Sequence, residues 1–201
     1  MLGVALERGV KRFIFVSSMS AYFGSKQDYG LMKLAVERAV LEAHQVVVRP
    51  GLVHGGEHGG MVLALEKLAH APLIPVFRGA QQFTLHIDDS LTSMATLVRS
   101  DDVPSSVIRL AHELPTSFNE IMRAMASGAD SSARTVVVPW HLLLGLLRVA
   151  ERLGIPLPVR SDSLLGLVRS ASSVPVRKEA DQIGLTFRRF ADSGGEASVA
   201  R

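Results

Sequence analysis

Two short apolar runs, R-F-I-F-V-S at 12–17 and Q-V-V-V-R-P at 45–50, flank one amphipathic stretch with short links on either side. Runs of this length and composition read as strands buried on both faces. Pro50 stops the second, because it has no N–H to give a ladder. Between them, residues 28–43 carry apolar side chains at helical spacing. Leu31, Leu34, Ala35, Val36, Ala39 and Val40 form the expected apolar face, with Glu37 and Arg38 pointing outward. Strand, helix, strand is a βαβ unit, so the expected fold class is α/β with a parallel sheet.

The remaining chain continues the alternation less regularly. Residues 1–10 read as the end of a helix closed by Gly9. Beyond a Gly-rich loop at 55–60, helices are expected near 61–70, from Asp88 or Asp89 to about 99, at 116–125, near 140–153 and from 161. P-L-I-P-V-F reads as an extended connection, and short strands are expected ending at His86, at 106–111 and at 135–139. Ser117 with Glu120 three residues on has the spacing of a capping box. The segment 191–201 has no apolar face and reads as a disordered tail.

Composition narrows the function classes. Of 201 residues 47% are hydrophobic and 20% charged, enough for a substantial core. Without cysteine there are no disulfides, thiolate zinc sites or thiol nucleophiles. The net charge of +3 is spread among acids, so no nucleic-acid partner is expected. No apolar run reaches the roughly 20 residues of a membrane span, and the N-terminus does not read as a signal peptide, so a cytoplasmic location is expected. The apolar stripe at 140–153 could lie on a membrane surface, but its polar face holds only His141, Arg148, Glu151 and Arg152, so packing on the sheet or on a partner is expected.

The stretch with chemical content is F-I-F-V-S-S-M-S-A-Y-F-G-S-K-Q-D-Y-G-L-M-K at 13–33. Its hydroxyl cluster follows a parallel strand, and the C-terminal strand ends are where open α/β sheets bind ligands. Tyr29 and Lys33 stand at i and i+4 on the next helix, on one face. A phenol is a poor base at neutral pH, and a nearby ammonium favours the phenolate. A serine hydroxyl can then hold a substrate oxygen while the phenol moves its proton. Taken alone, Ser17, Ser18 and Ser20 also fit plain loop hydroxyls, and Tyr29 with Lys33 an exposed helical pair.

S-S-M-S-A-Y, then Y-x-x-x-K, then V-V-V-R-P-G-L-V-H-G, then T-L-H-I-D-D, in this order, resembles the extended or atypical short-chain dehydrogenase/reductases of the NAD-dependent epimerase/dehydratase group. The resemblance covers about 1–100 and continues more faintly to D-Q-I-G-L-T-F-R-R-F near 190. It implies the C-terminal half of a doubly wound, Rossmann-type parallel sheet with a smaller mixed α/β C-terminal lobe. Residues 1–55 would belong to the dinucleotide-binding part and 56–190 to the substrate lobe, with 83–100 packing back on the core. It implies Ser18 as catalytic serine, Tyr29 as acid/base and Lys33 as its ribose-binding partner. Ser17, Tyr29, Lys33, Arg49, Pro50 and Val53 would lie at an NAD or NADP cofactor. His86, Asp88 and Asp89 would tie the lobe to the core. The partners implied are a small, hydroxyl- or carbonyl-bearing substrate, with sugar-derived molecules among the candidates, and a second copy in a homodimer.

Two departures from the family pattern bear on activity. The G-x-x-G-x-x-G turn that cradles a pyrophosphate is not among these residues. Sequence alone therefore predicts that the 201 residues neither bind a dinucleotide tightly nor form a stable monomer, since the first strand would present an open edge. The loop between Ser18 and Tyr29 is also short for a sugar-nucleotide epimerase. A catalytically silent dinucleotide-binding module is thus the alternative to an enzyme. Finally, H-G-G-E-H at 54–58 matches an inverted zinc-protease string, but two central glycines make a loop rather than the helix that would bring both histidines to one metal. No metal is expected.

Overall fold

The computed structural model describes residues 2–25, 27–56, 60–127, 134–155, 160–168 and 178–190. In chain order the first elements are α1 (Leu2–Glu7), β1 (Ile14–Val16), α2 (Asp28–Glu42), β2 (Val46–Pro50), β3 (Leu52–His54), α3 (Gly60–Ala69), β4 (Leu73–Val76), β5 (Gln81–Gln82), β6 (Thr84–His86) and α4 (Ile87–Arg99). They are followed by β7 (Val107–Leu110), β8 (Thr116–Ser117), α5 (Phe118–Ser127), β9 (Arg134–Val137), α6 (Trp140–Arg152), α7 (Ser161–Val168) and α8 (Lys178–Gln182).

The βαβ unit folds as its pattern predicts. β1 and β2 are parallel, in register Ile14 to Val46, and β7 adds a third parallel strand beyond β2. The sheet order β1-β2-β7 buries Val46, Val47 and Val48 completely, because the central strand is covered on both faces. β1 departs from the expectation of burial on both faces. Ile14 and Phe15 are half-buried and Val16 is 48% exposed, since among the described residues this strand is paired only with β2.

Helix α2 also corrects the sequence reading. Its buried positions are Gly30, Glu37 and Val40, whereas Leu31, Met32 and Val36 face solvent. Glu37, expected outside, is 2% exposed. Helical periodicity fixes which residues share a face. It does not fix which face turns to the sheet when both carry apolar residues.

At Gly51 the chain changes partners. Pro50 still pairs with Leu110 of β7, but β3 pairs with β6, in register Leu52 to Thr84. A Cβ on Gly51 would lie 2.4 Å from the Phe83 carbonyl oxygen, so only glycine allows this close backbone approach. Gly51→Ala is therefore expected to lower stability by about 1–3 kcal/mol, read as a shift of the urea midpoint at constant m-value.

Two apolar clusters result. One joins β2 and β7 to Leu85 and Leu97, and to Ala180, Leu185 and Phe187 from the end of the described chain. Ala180, Leu185 and Phe187 thus pack on the sheet together with Leu85 and Leu97. The second cluster holds Val62, Leu65, Ile74, Phe118, Ile121, Met122, Leu144, Leu147 and Leu164, gathered from α3, β4, α5, α6 and α7. Ser117 and Glu120 do form a capping box at α5. The Ser117 amide and hydroxyl donate to the Glu120 carboxylate at 2.9 and 2.7 Å, and the Glu120 amide donates back at 3.2 Å. The expected tail, 191–201, lies outside the described residues.

Candidate active site

The C-terminal ends of β1 and β2 open into a cleft of about 690 Å³. Its walls include Ser18 and Ser20 from the loop after β1, Tyr29 and Met32 from α2, and Pro50 to Val53. α7 contributes Asp162, Ser163 and Gly166. Ser18, Tyr29, Pro50 and Val53, distant in sequence, are thus brought to one space. Ser18 Oγ accepts from the Ser20 amide at 3.1 Å and lies 3.1 Å from the Ser20 hydroxyl. These contacts hold the hydroxyl in place on a tight turn.

Lys33 sits one helical turn after Tyr29 on the same face. Its Nζ donates to the Val16 carbonyl at 2.8 Å, and lies 4.9 Å from the Phe15 ring centroid and 5.6 Å from that of Tyr29. The ammonium therefore ties α2 to the end of β1 while staying beside the phenol ring. Tyr29 remains half-exposed at the cleft.

Ser17 and Arg49, also expected at the cofactor, are placed differently. Both turn to Glu37, one further turn along the Tyr29–Lys33 face. The Glu37 carboxylate accepts from Ser17 Oγ at 2.5 Å, from Arg49 Nε at 2.8 Å and from Arg49 Nη2 at 2.5 Å. This bidentate, nearly dry pair clamps β1, α2 and β2 together beneath the cleft floor. Glu37 is the residue the sequence reading placed on the wrong face. Its position at i+4 from Lys33 was the signal that could have found it.

The start of α2 is held from outside. Gln27, at the N-cap, makes no capping bond with its side chain. Instead Asp162 of α7 accepts from the Asp28 and Tyr29 amides at 3.1 and 3.4 Å. A carboxylate there also suits the positive end of the helix dipole. Nothing local in the sequence marks Asp162, because its partners lie on a different element far along the chain. Gly30 completes the contact. A Cβ at this position would lie 2.5 Å from both the Ser20 carbonyl and the Ser25 hydroxyl, so the serine loop closes on α2 only over glycine. Gly30→Ala is expected to push that loop off the helix, lowering stability by about 1–3 kcal/mol and displacing Ser18 from Tyr29. A thermal melt reads the first effect.

The histidine-rich segments are structural in placement. His86 caps α4, its Nδ1 accepting from the Asp88 amide at 3.3 Å. His54 packs edge-on to His86 and to Phe190, with ring centroids 5.2 and 4.9 Å away. Gly55 and Gly56 both have left-handed φ, 84° and 70°, so the chain turns where a metal-binding helix would need to run. Glu57 and His58 lie outside the described residues. Among the described residues no group of three metal-ligating side chains converges.

Asp88 and Asp89 tie down the returning end of the chain. Arg188 donates from its amide and Nε to Asp89 at 2.8 and 2.9 Å, and from Nη2 to Asp88 at 3.2 Å. Burial acting alone would raise the Asp89 carboxyl. The hydrogen bonds and charge of Arg188 outweigh it and hold the group below the ordinary carboxylate range. A depressed folded-state pKa stabilises above the unfolded value, near 4, and that contribution disappears as pH falls through the folded value. The melting-temperature gap between wild type and Asp89→Asn is thus expected to be widest above about pH 5 and to close below pH 4. A gap independent of pH would remove Asp89 from this role.

These elements form an α/β fold with a parallel, Rossmann-type sheet, and solved structures of that fold resemble the chain at low sequence identity. The structure of MoeE5 in complex with UDP-glucose and NAD is similar to this chain with a TM-score of 0.68 at 17% identity, covering 98% of this chain and 66% of that one. The crystal structure of gox2253 matches with a TM-score of 0.70 at 18% identity, over 98% of this chain and 67% of its own. Among curated proteins, a ceramide reductase of Caulobacter vibrioides is 25% identical over 131 residues, which is 64% of this chain and 41% of that protein. The chain thus spans about two-thirds of the structures it resembles, and its match covers less than half of the curated relative. No protein-family profile matches the chain.

Proposed function

We propose that this chain carries the catalytic segment of an NAD(P)-dependent oxidoreductase of the epimerase/dehydratase or reductase type. Its substrate would be small and bear a hydroxyl or carbonyl at the reacting carbon. The supporting observation is that Ser18 and Tyr29 share one cleft at the C-terminal strand ends, with Lys33 on the same face of α2. One similar structure holds UDP-glucose and NAD, and one curated relative bears the name ceramide reductase, so both sugar nucleotides and lipids are candidate substrates.

The residues present fit the nicotinamide–ribose end of a dinucleotide. Lys33 and Tyr29 would meet the ribose, and the backbone at Pro50 to Val53, pinned by Gly51, would flank the ring. The pyrophosphate end has no glycine turn to rest on in these 201 residues. When bound, the cofactor supplies a two-electron acceptor or donor at the reacting carbon. Ser18, fixed by the Ser20 amide, donates a hydrogen bond to the substrate oxygen. Tyr29 takes or returns that oxygen's proton, and the Lys33 charge favours the phenolate while its anchor at Val16 fixes the helix turn. Within this proposal 1–55 serve the cofactor and 56–190 form the substrate lobe, in a cytoplasmic homodimer.

The rival is a catalytically silent dinucleotide-binding module. It is favoured by the engagement of Ser17 and Arg49 with Glu37 instead of the cleft. Mixing the intact protein with NAD⁺ or NADP⁺ and a panel of carbinols, followed by nicotinamide absorbance, separates the two. Substrate-dependent reduction supports the enzyme. Dinucleotide binding with no turnover across the panel supports the silent module. Sedimentation of the intact protein tests the dimer.

A further inference from the structure

Gln27 and Gln82 both lie in the wall of the candidate active-site cleft, but the protein uses their amides differently. Gln82 Nε2 donates to the Leu167 carbonyl at 2.6 Å and to that of Gly166 at 3.4 Å, so its amide ties β5 to α7. Gln27 is more deeply buried, at 3% exposure against 8%, yet its Nε2 has no hydrogen-bond partner. Nor does this side chain serve α2. It stands at the N-cap without making a capping bond, and Asp162 holds the helix start instead. Gly166 of α7 lies against the same amide: a Cβ there would come within 3.3 Å of Gln27 Oε1.

An amide N–H taken out of water without an acceptor destabilises the fold, so native proteins seldom keep one without a use. An oxygen supplied by a ligand removes that cost, and a ligand lacking the oxygen is then rejected. The last torsion of a glutamine is broad, so the amide turns easily to aim its N–H groups into the cleft. The rest of the lining sets the ligand's character. Met32, Leu52, Met61, Val62, Phe83 and Leu167 give it apolar walls. Among the described residues its charged members are Asp28, Asp162 and Arg160, two carboxylates against one guanidinium. A nucleoside diphosphate, itself anionic, would meet net negative charge there, whereas a neutral molecule would not.

We propose that Gln27 is a specificity-determining residue, its amide donating to a neutral carbonyl oxygen of the substrate other than the oxygen held by Ser18 and Tyr29. The substrate class is then an uncharged molecule with an apolar body and an acyl oxygen near its reacting carbon, rather than a nucleotide sugar. The assignment rests on reading this cleft as the substrate cleft.

The test is calorimetric titration of the intact protein with methyl β- and γ-oxooctanoate, each against the dialkyl ketone of equal length, and with UDP-glucose. An ester is expected to bind roughly tenfold more tightly than its matched ketone, the span of one such hydrogen bond, and UDP-glucose more weakly than either. Gln27→Met should abolish the ester's advantage and melt no lower than wild type, because it removes an amide that the folded protein leaves unpaired. A glutamine needed only for folding would do the reverse, losing stability and keeping the preference. Equal binding of ester and ketone, a preference that survives in Gln27→Met, a lower melting temperature of that variant, or tighter binding of UDP-glucose overturns the proposal. So does no binding of any of these molecules. NADPH consumption with the same set keeps the two readings apart. An ester preference without consumption leaves Gln27 in its role and removes the enzyme. Consumption indifferent to Gln27→Met leaves the enzyme and removes this role.

Discussion

Glu37→Ala is expected to destabilise the protein by about 3–5 kcal/mol, the usual cost of breaking a buried ion pair by removing one partner. The substitution strands the Arg49 guanidinium, whose side chain is only 11% exposed, and takes the acceptor from the buried Ser17 hydroxyl. It also unties the three elements that set the cleft floor. The expected signature in urea is a large fall in midpoint with little change in slope. The pair itself contributes less than this loss suggests, because desolvating two charges offsets most of their attraction. Glu37→Met/Arg49→Met should therefore recover much of the stability lost in the single variant, as a double-mutant cycle would show. A Glu37→Ala protein within 1 kcal/mol of wild type would mean that the side chain is not buried as described.

Tyr29→Phe in the intact protein is expected to lower turnover by about 10²–10⁴-fold while leaving dinucleotide affinity nearly unchanged. The substitution removes one hydroxyl from a half-exposed ring and keeps the ring's contact with the Lys33 ammonium. Lys33→Ala should weaken turnover and dinucleotide binding together. It removes the charge beside the phenol, the donor proposed for the ribose and the hydrogen bond to Val16. Steady-state kinetics with separate measurement of dinucleotide affinity distinguishes the two patterns. Unchanged turnover in Tyr29→Phe would sink the assignment of Tyr29 as acid/base, and would leave the silent dinucleotide-binding module as the better account.

Local pattern carried the elements, and its limits are visible at particular residues. The runs at 12–17 and 45–50 and the helix between them were legible because a parallel pair with a crossover is the simplest way to bury two such strands. The capping box at Ser117 and Glu120 was legible because both partners lie within one turn. Strands β3, β5 and β8 were not. They are two or three residues long and exist only because distant segments pair with one another.

Sequence by itself also put Tyr29 and Lys33 on one helix face and Ser18 at a strand end, since spacing along an element is a local property. Which way that helix face turns was decided by tertiary structure alone. α2 has apolar residues on both sides, and it is the burial of Glu37 against Arg49 and Ser17 that orients it. The same holds for Asp162, which caps α2 from the far lobe, and for Gly51, whose need arises from the Phe83 backbone lying against it. Each depends on a partner remote in sequence, and propensity or periodicity carries no information about a contact between segments that are not neighbours in the chain.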